Sequence, residues 1–210
     1  MVKPPKLAPS PQKSVRTRRA YFDFKFGQLH VRTAFPATGG FDEQVTLFCL
    51  HRELGSSRDF ARFLPEIADV RSVYAPDLPG YGETDPSQTS SVADAADAIS
   101  DLANDLRLRQ IDLLGVRAGA EIALSLAAAR PELVRRLVLI GIPSADRLPR
   151  VGSSVLIMRT RPESPEVLAK LKAVLPNAKF EDIADYADDV FDAQPKTLAQ
   201  QIGAFLSGRP

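Results

Sequence analysis

DLLGVRAGAEIALSL, residues 112–126, runs from one short apolar segment through two glycines into a second apolar segment. The first segment is typical of a strand buried on both faces, and the second is typical of a buried helix. Gly115 and Gly119 permit the tight turn and the close packing that joining the two elements requires. The centre of this turn is Arg117, whose side chain keeps its positive charge at any physiological pH.

Strands and helices alternate on both sides of this segment. A continuous apolar run at residues 45–50 predicts a further buried strand, and residues 134–142 predict another. Apolar residues at helical spacing in 90–108 predict an amphipathic helix. Such alternation predicts a three-layer α/β/α sandwich around a mostly parallel sheet of about seven or eight strands. Residues 21–26 alternate in polarity and are joined by Gly27 to another strand, so we expect an antiparallel edge at the N-terminal side of the sheet.

The composition predicts a soluble globular protein. The chain has 210 residues, of which 44% are hydrophobic and 25% are charged, and its net charge is +1. No apolar run approaches the roughly 20 residues of a membrane-spanning helix, and the first residues lack the apolar core of a signal peptide. Because the single cysteine, Cys49, cannot form an internal disulfide, we expect a cytoplasmic protein. Two histidines and no CxxC or HExxH pattern give no basis for predicting a metal site or a cofactor.

Residues 1–20 differ in composition from the rest of the chain. They contain six basic residues, four prolines and no acidic residue, whereas the remainder is net acidic. This composition predicts a flexible basic arm in front of a single domain at residues 21–210. A solvated tail is the simpler interpretation, and a tether to an anionic surface or partner is the alternative. A nucleic-acid partner is disfavoured because the arm has no aromatic residue and the body is acidic.

Five motifs follow one another in an order that resembles the α/β-hydrolase-fold family. GQLHVRTAF (27–35), FCLHRELGSSRDFARFLPEIA (48–68) and VYAPDLPGYGETDPS (73–87) are similar to the family's second strand, its strand with a His-Gly turn, and its Asp-x-x-Gly-x-Gly-x-Ser loop. IDLLGVRAGAEIALSLAAARPELVRRLVLIG (111–141) resembles the nucleophile elbow with the helix and strand that follow it. AQPKTLAQQIGAFL (193–206) resembles the closing helix. The resemblance covers almost the whole chain and implies the α/β-hydrolase topology for the predicted sheet.

The positions that carry the chemistry in such proteins differ here. The family's elbow reads Gly-x-Ser-x-Gly, and Arg117 stands in place of the serine. Arginine stays protonated and therefore cannot attack a carbonyl. By the resemblance, Glu163 matches the position of the triad acid, and Asp188 or Asp189 matches the position of the histidine, counted back from the Gln-Pro pair before the closing helix. Both histidines of the chain precede residue 52, so neither can take that late position.

Two further departures concern the surroundings of the elbow. The family's His-Gly pair becomes His51-Arg52, which places a bulky side chain where glycine gives close access, while Ala118 keeps a backbone N–H at the start of a helix. The His51 side chain could either line the site or bind loop backbone. Family members also carry a lid between two strands that only residues 143–154 join here, so we expect no lid domain.

These departures predict a pseudoenzyme of the α/β-hydrolase fold that has lost its nucleophile and base. In the first interpretation the chain is a non-catalytic protein that binds a small anionic ligand or a protein partner. Arg117 would then pair with the neighbouring carboxylates and either fill the site or hold the ligand. In the alternative, the chain is a divergent hydrolase or a non-hydrolytic enzyme that uses Asp188, Glu163 or His51 as acid or base. The ligand-binding residues expected on this basis are His51, Arg52, Arg117, Ala118, Glu163 and Asp188.

Overall fold

An eight-stranded sheet organises the computed structural model, which describes residues 15–37, 44–141, 148–159, 164–183 and 190–208. The strands are β1 (Arg16–Phe24), β2 (Gly27–Phe35), β3 (Leu47–Leu50), β4 (Val73–Pro76), β5 (Ile111–Val116), β6 (Val134–Ile140), β7 (Ser154–Arg159) and β8 (Lys179–Asp182). The helices are α1 (Leu64–Ile67), α2 (Val92–Asp105), α3 (Ala118–Ala129), α4 (Pro165–Val174), α5 (Val190–Ala193) and α6 (Pro195–Ser207), with a 3₁₀ turn at Ser57–Phe60.

The strand order is β1-β2-β4-β3-β5-β6-β7-β8. Strand β2 runs antiparallel to both β1 and β4, and every other pair of neighbours is parallel. The predicted α/β class and the antiparallel N-terminal edge are therefore confirmed. Because parallel strands point the same way, the loops after β3, β4, β5 and β6 leave the sheet at one edge, where ligands bind in open α/β sheets.

The side chains of the central strands alternate between two apolar cores. On β5, Leu113 packs into the core that α2 and α3 cover, together with Ile99 and Leu124. Its neighbour Leu114 points to the opposite face and packs into the core that α1 and α6 cover. A strand with both faces buried needs apolar residues on both faces, which explains why Leu113 and Leu114 follow one another in its sequence.

The N-terminal boundary of the sheet differs from the prediction. Strand β1 begins at Arg16 and pairs with β2 in continuous register from Arg16–Phe35 to Phe24–Gly27. Residues 16–20 therefore belong to the sheet and not to an arm. Basic residues can occupy an edge strand because their side chains point to solvent while the backbone pairs with one neighbour. Residues 1–14 lie outside the described residues.

Residues 141–153 connect β6 to β7, where the resemblance to the α/β-hydrolase fold led us to look for a lid. Residues 148–153 of this connection form neither helix nor strand, and residues 142–147 lie outside the described residues. No lid is evident in the part of the connection that the structure describes.

A buried ionic cluster ties together the amino ends of the central strands. Asp112, near the start of β5, is fully buried and accepts hydrogen bonds from Arg135 Nε and Nη2 at 2.9 and 2.6 Å and from Arg71 Nη1 at 3.3 Å. Burial raises the pKa of the Asp112 carboxyl group, and the arginines oppose that shift. Burial likewise lowers the pKa of Arg71, against the effect of Asp112. Each charge is thus compensated by its neighbours and not by water.

The same cluster binds the end of helix α6. Arg135 Nη2 donates to the Leu206 carbonyl oxygen at 2.8 Å, and Arg136 Nη1 donates to the Phe205 carbonyl oxygen at 2.7 Å. The last carbonyl groups of a helix have no partner within the helix, so these arginines satisfy groups that would otherwise need water. The far end of the sheet from the elbow is therefore a structural anchor.

Candidate functional site

The elbow between β5 and α3 has a strained backbone. Arg117 adopts φ 50° and ψ −109°, a combination that residues other than glycine rarely adopt. Its backbone N–H donates to the Ile140 carbonyl oxygen at 2.9 Å, and its carbonyl oxygen accepts from Ala120 N–H at 2.9 Å. The sharp strand-to-helix turn that presents a nucleophile in hydrolases is therefore retained, with arginine at its tip.

Two glycines make this turn possible for steric reasons. A Cβ atom on Gly115 would lie 2.5 Å from the Gly119 carbonyl oxygen. A Cβ atom on Gly119 would lie 2.2 Å from the Leu50 carbonyl oxygen, at the end of β3. Both distances are shorter than non-bonded atoms tolerate, so any side chain would push α3 away from the sheet. The glycine spacing is thus required by packing, whether or not a nucleophile is present.

Residues 52–55 and 117–118 form a surface at the carboxyl ends of β3 and β5, which we call the mouth. Glu53 lies within it. One carboxylate oxygen, Oε2, accepts a hydrogen bond from the Ala118 backbone N–H at 3.4 Å, and the other, Oε1, lies 3.9 Å from Arg117 Nη1. The Arg117 and Glu53 side chains are each 51% exposed. A carboxylate of the chain itself therefore sits against the first amide of α3 and against Arg117.

Sequence reasoning did not single out Glu53. The available signal was its position directly after His51-Arg52, in the turn that the resemblance places beside the elbow. Arg52, which the sequence predicted to be a ligand-binding residue, lies in the same turn. Its Nε is 3.7 Å from Asp59 Oδ2, so its guanidinium group forms an ion pair within its own loop.

His51 is fully buried below the mouth, and both of its ring nitrogens have backbone partners. Nδ1 donates to the Arg52 carbonyl oxygen at 2.7 Å, and Nε2 accepts from the Leu78 backbone N–H at 2.9 Å. Because a carbonyl oxygen can only accept, this arrangement requires the neutral ring with its proton on Nδ1. Burial lowers the pKa of His51, against the effect of the Arg52 carbonyl oxygen. Of the two interpretations of His51, the structure supports the backbone-binding one, and its ring is not presented to a ligand.

Asp77 braces the loop that follows β4. Its Oδ1 accepts from Ser57 N–H at 2.6 Å, and its Oδ2 accepts from Glu83 N–H at 2.9 Å and from His30 Nδ1 at 2.8 Å. Burial raises the pKa of Asp77, but the backbone N–H donors more than compensate, so its pKa lies below the ordinary value. The Asp77 and His30 side chains are both buried. This network joins β2 to the loops below the mouth, which is a structural role for the second histidine.

Glu163, Asp188 and Asp189 lie outside the described residues. Their convergence on Arg117 therefore remains a prediction, and the described carboxylate beside Arg117 is Glu53.

Within the described ranges, no three His, Cys, Asp or Glu side chains lie together as a metal site would require. No helix in the described part of the chain is long and apolar enough to cross a membrane.

The family of the chain is shown by residues 45–163, more than half of its length, which match the model of the alpha/beta hydrolase fold. The chain belongs to the α/β hydrolase fold family. Among solved structures, the predicted CIB-like hydrolase from Thermoplasma acidophilum is similar with a TM-score of 0.77 and 15% identity, over 91% of this chain and 98% of that one. At this identity the likeness shows the fold alone.

Two curated relatives match shorter parts of the chain. The uncharacterized hydrolase YugF of Bacillus subtilis is 32% identical over 97 residues, which are 45% of this chain and 36% of that protein. The 2-hydroxymuconate semialdehyde hydrolase of a Pseudomonas species is 41% identical over 80 residues, which are 37% of this chain and 28% of that protein. The matched part is thus about a third of the length of these curated relatives.

The close approach at the elbow leads to a first prediction. We expect Gly119→Ala to lower the free energy of unfolding by about 1 to 3 kcal/mol, because the new methyl group meets the backbone of β3. Gly203→Ala, inside α6, is the matched control. Its Cβ would meet only Ile67 Cδ1 at 3.9 Å, so this change should raise the stability by up to about 1 kcal/mol. Urea unfolding of the two variants should give opposite signs, and equal effects would contradict the steric argument.

The neutral state of His51 leads to a second prediction. The unfolded chain protonates this residue near its ordinary pKa of 6.5, whereas the folded protein does so only at lower pH. The unfolded state therefore binds more protons as the pH falls below 6.5, and the stability that neutral His51 contributes is lost in that window. We expect the wild-type free energy of unfolding to fall between pH 7.5 and pH 5.5, and to fall less in His51→Gln. An identical pH dependence in both proteins would show that His51 is not the group responsible.

Proposed function

We propose that the mouth binds a small anionic molecule and that the chain does not cleave esters by the serine–histidine route. One observation carries the proposal: the Glu53 carboxylate lies against both the Ala118 amide and the Arg117 guanidinium group. A backbone N–H at the start of a helix and an arginine are two groups that commonly bind carboxylates and phosphates. The Ala118 amide and the Arg117 guanidinium group are thus arranged as in an anion-binding site, and the Glu53 carboxylate takes the place of the anion.

Displacement of Glu53 by a ligand should cost little. The Glu53–Arg117 pair is half exposed and its closest charged atoms are 3.9 Å apart, so we expect it to stabilise the fold by about 0 to 1 kcal/mol. Glu53 lies on a turn and can rotate toward solvent without disturbing a strand or helix. An incoming carboxylate or phosphate that contacts Arg117 in a bidentate geometry would make shorter hydrogen bonds than Glu53 does.

The hydrogen-bond partners of the two histidine rings support the absence of serine–histidine hydrolysis. His51 uses its two ring nitrogens on backbone groups, and His30 is paired with Asp77. Both rings are buried, His51 has no ring nitrogen left to act as a base, and arginine itself cannot act as the nucleophile. A divergent hydrolase is the second candidate, which the named hydrolases among the relatives favour. It would need Glu163 or Asp188 as its base.

Ligand binding at the mouth is tested with benzoate and phenyl phosphate as anionic probes and benzamide as a neutral probe of similar shape. We expect isothermal titration calorimetry to detect the two anions and not benzamide. Arg117→Ala should abolish this binding, and Glu53→Gln should tighten it because a competing carboxylate is removed. Arg62→Ala is the matched control, since Arg62 pairs with Asp192, outside the mouth. Binding that is unchanged in Arg117→Ala would refute the site.

The chemistry is tested separately. We expect a fluorophosphonate probe to label no serine of the purified protein, and p-nitrophenyl acetate turnover not to exceed that of a heat-denatured sample. Arg117→Ser should also fail to hydrolyse the ester, because no histidine can serve as its base. Stoichiometric labelling of one serine in the wild-type protein would establish a hydrolase in place of the proposed binding protein.

A further inference from the structure

Strand β1 is the outermost strand at the N-terminal edge of the sheet and has a strand neighbour, β2, on one side only among the described residues. It is nine residues long, with no proline, no glycine and no shift in register. Residues 16–19 are all exposed, so the start of the strand is uncovered on both faces. Natural edge strands are often protected against pairing by short length, bulges, proline or charged side chains. Strand β1 carries three arginines, but it is long and has neither a bulge nor a proline.

The register of the hairpin determines which backbone groups of β1 face outward. A two-residue turn joins Phe24 to Gly27, and the closing pair of such a turn is hydrogen-bonded. Because bonded and non-bonded pairs alternate in an antiparallel ladder, the even-numbered residues of β1 bond to β2. The backbone N–H and C=O groups of four odd-numbered residues then point to the outer edge: Thr17, Arg19, Tyr21 and Asp23.

The opposite strand confirms this alternation. Gln28 and His30 stand opposite Asp23 and Tyr21 in the register. Their carbonyl oxygens accept hydrogen bonds on the other side, from Asp85 N–H at 3.0 Å and from Asp77 N–H at 2.9 Å. The backbone of Gln28 and His30 is thus turned away from β1, as the alternation requires.

We propose that β1 pairs antiparallel with β1 of a second copy of the chain, around a twofold axis at Ala20. This register pairs all four outward-facing residues: Thr17 of each copy lies opposite Asp23 of the other, and Arg19 lies opposite Tyr21. If the twofold axis is moved by one residue in either direction, some of the outward-facing backbone groups of β1 have no partner in the other copy. The register centred on Arg19 would also place two arginines directly opposite each other, which is destabilising.

The strand is complementary to itself in charge and chemistry. Its first half carries Arg16, Arg18 and Arg19, and its second half carries aromatic residues and Asp23. Antiparallel pairing around Ala20 sets the arginines of one copy against the aromatic and acidic half of the other. Arg18 then lies opposite Phe22 and Arg16 opposite Phe24, where guanidinium groups can stack on the rings. An acidic peptide would match only the first half of the strand, which favours a second copy as the occupant.

Disulfide trapping tests both the pairing and its register. At the twofold axis the two Ala20 residues form a non-hydrogen-bonded pair with Cα atoms about 4.5 Å apart, which a disulfide can span. We expect Ala20→Cys to form a covalent dimer under mild oxidation. Wild-type protein is one control, since its Cys49 is buried. Thr17→Cys is the other, because position 17 lies opposite 23 and should not link to itself.

Sedimentation velocity over a range of concentrations tests the association without a cross-link. We expect a concentration-dependent dimer that Arg19→Pro abolishes, because proline removes an outward N–H and leaves the bonds to β2 intact. Arg19→Ala keeps that N–H and should retain the dimer, and circular dichroism should confirm that both variants are folded.

A folded Ala20→Cys protein that stays monomeric on oxidation would overturn the proposal, as would cross-linking of Tyr21→Cys in its place. A wild-type monomer at all concentrations would mean that another segment covers this edge and would also overturn it.

Discussion

The rest of the structure around the mouth depends on how closely α3 approaches the end of β3. The Gly119 Cα carries no side chain where a Cβ would stand 2.2 Å from the Leu50 carbonyl oxygen. This contact sets the height of α3 above the sheet, and with it the place of the Ala118 amide and of the turn after Leu50. Directly before α3, Arg117 adopts its strained backbone conformation. The frame has therefore a packing function of its own, which explains how it can persist around a residue that is not a nucleophile.

With that frame in place, the residues around the elbow act through hydrogen bonds and charge. His51 and Asp77 hold the loops from below, one as a neutral ring bonded to backbone and the other as a carboxylate with three donors. Above them, the side chains of Glu53 and Arg117 are each about half exposed to solvent. In the proposed function, this rigid support would keep the donors in place when a ligand displaces Glu53.

The fold and the elbow could be predicted from the sequence because each depends on residues that are close together in the chain. Continuous apolar runs reveal strands buried on both faces, and the four-residue glycine spacing reveals the turn. The partners of His51 could not be predicted, since Leu78 is distant in sequence and the choice depends on which ring nitrogen carries the proton. Glu53 was missed because an exposed carboxylate on a turn has no periodicity to mark it. The start of β1 was misplaced because its arginines resemble those of a flexible arm.

The ionic cluster at the opposite end of the sheet has a consequence for biosynthesis. Arg71 and Asp112 are synthesised well before the end of α6, whose Ser207 hydroxyl and Leu206 carbonyl groups complete their network. A nascent chain that collapsed before those residues left the ribosome would enclose charged side chains with too few partners, at a considerable cost in free energy. The central strands should therefore close only after synthesis has reached α6, so that the domain folds as a unit and not in the order in which it is translated.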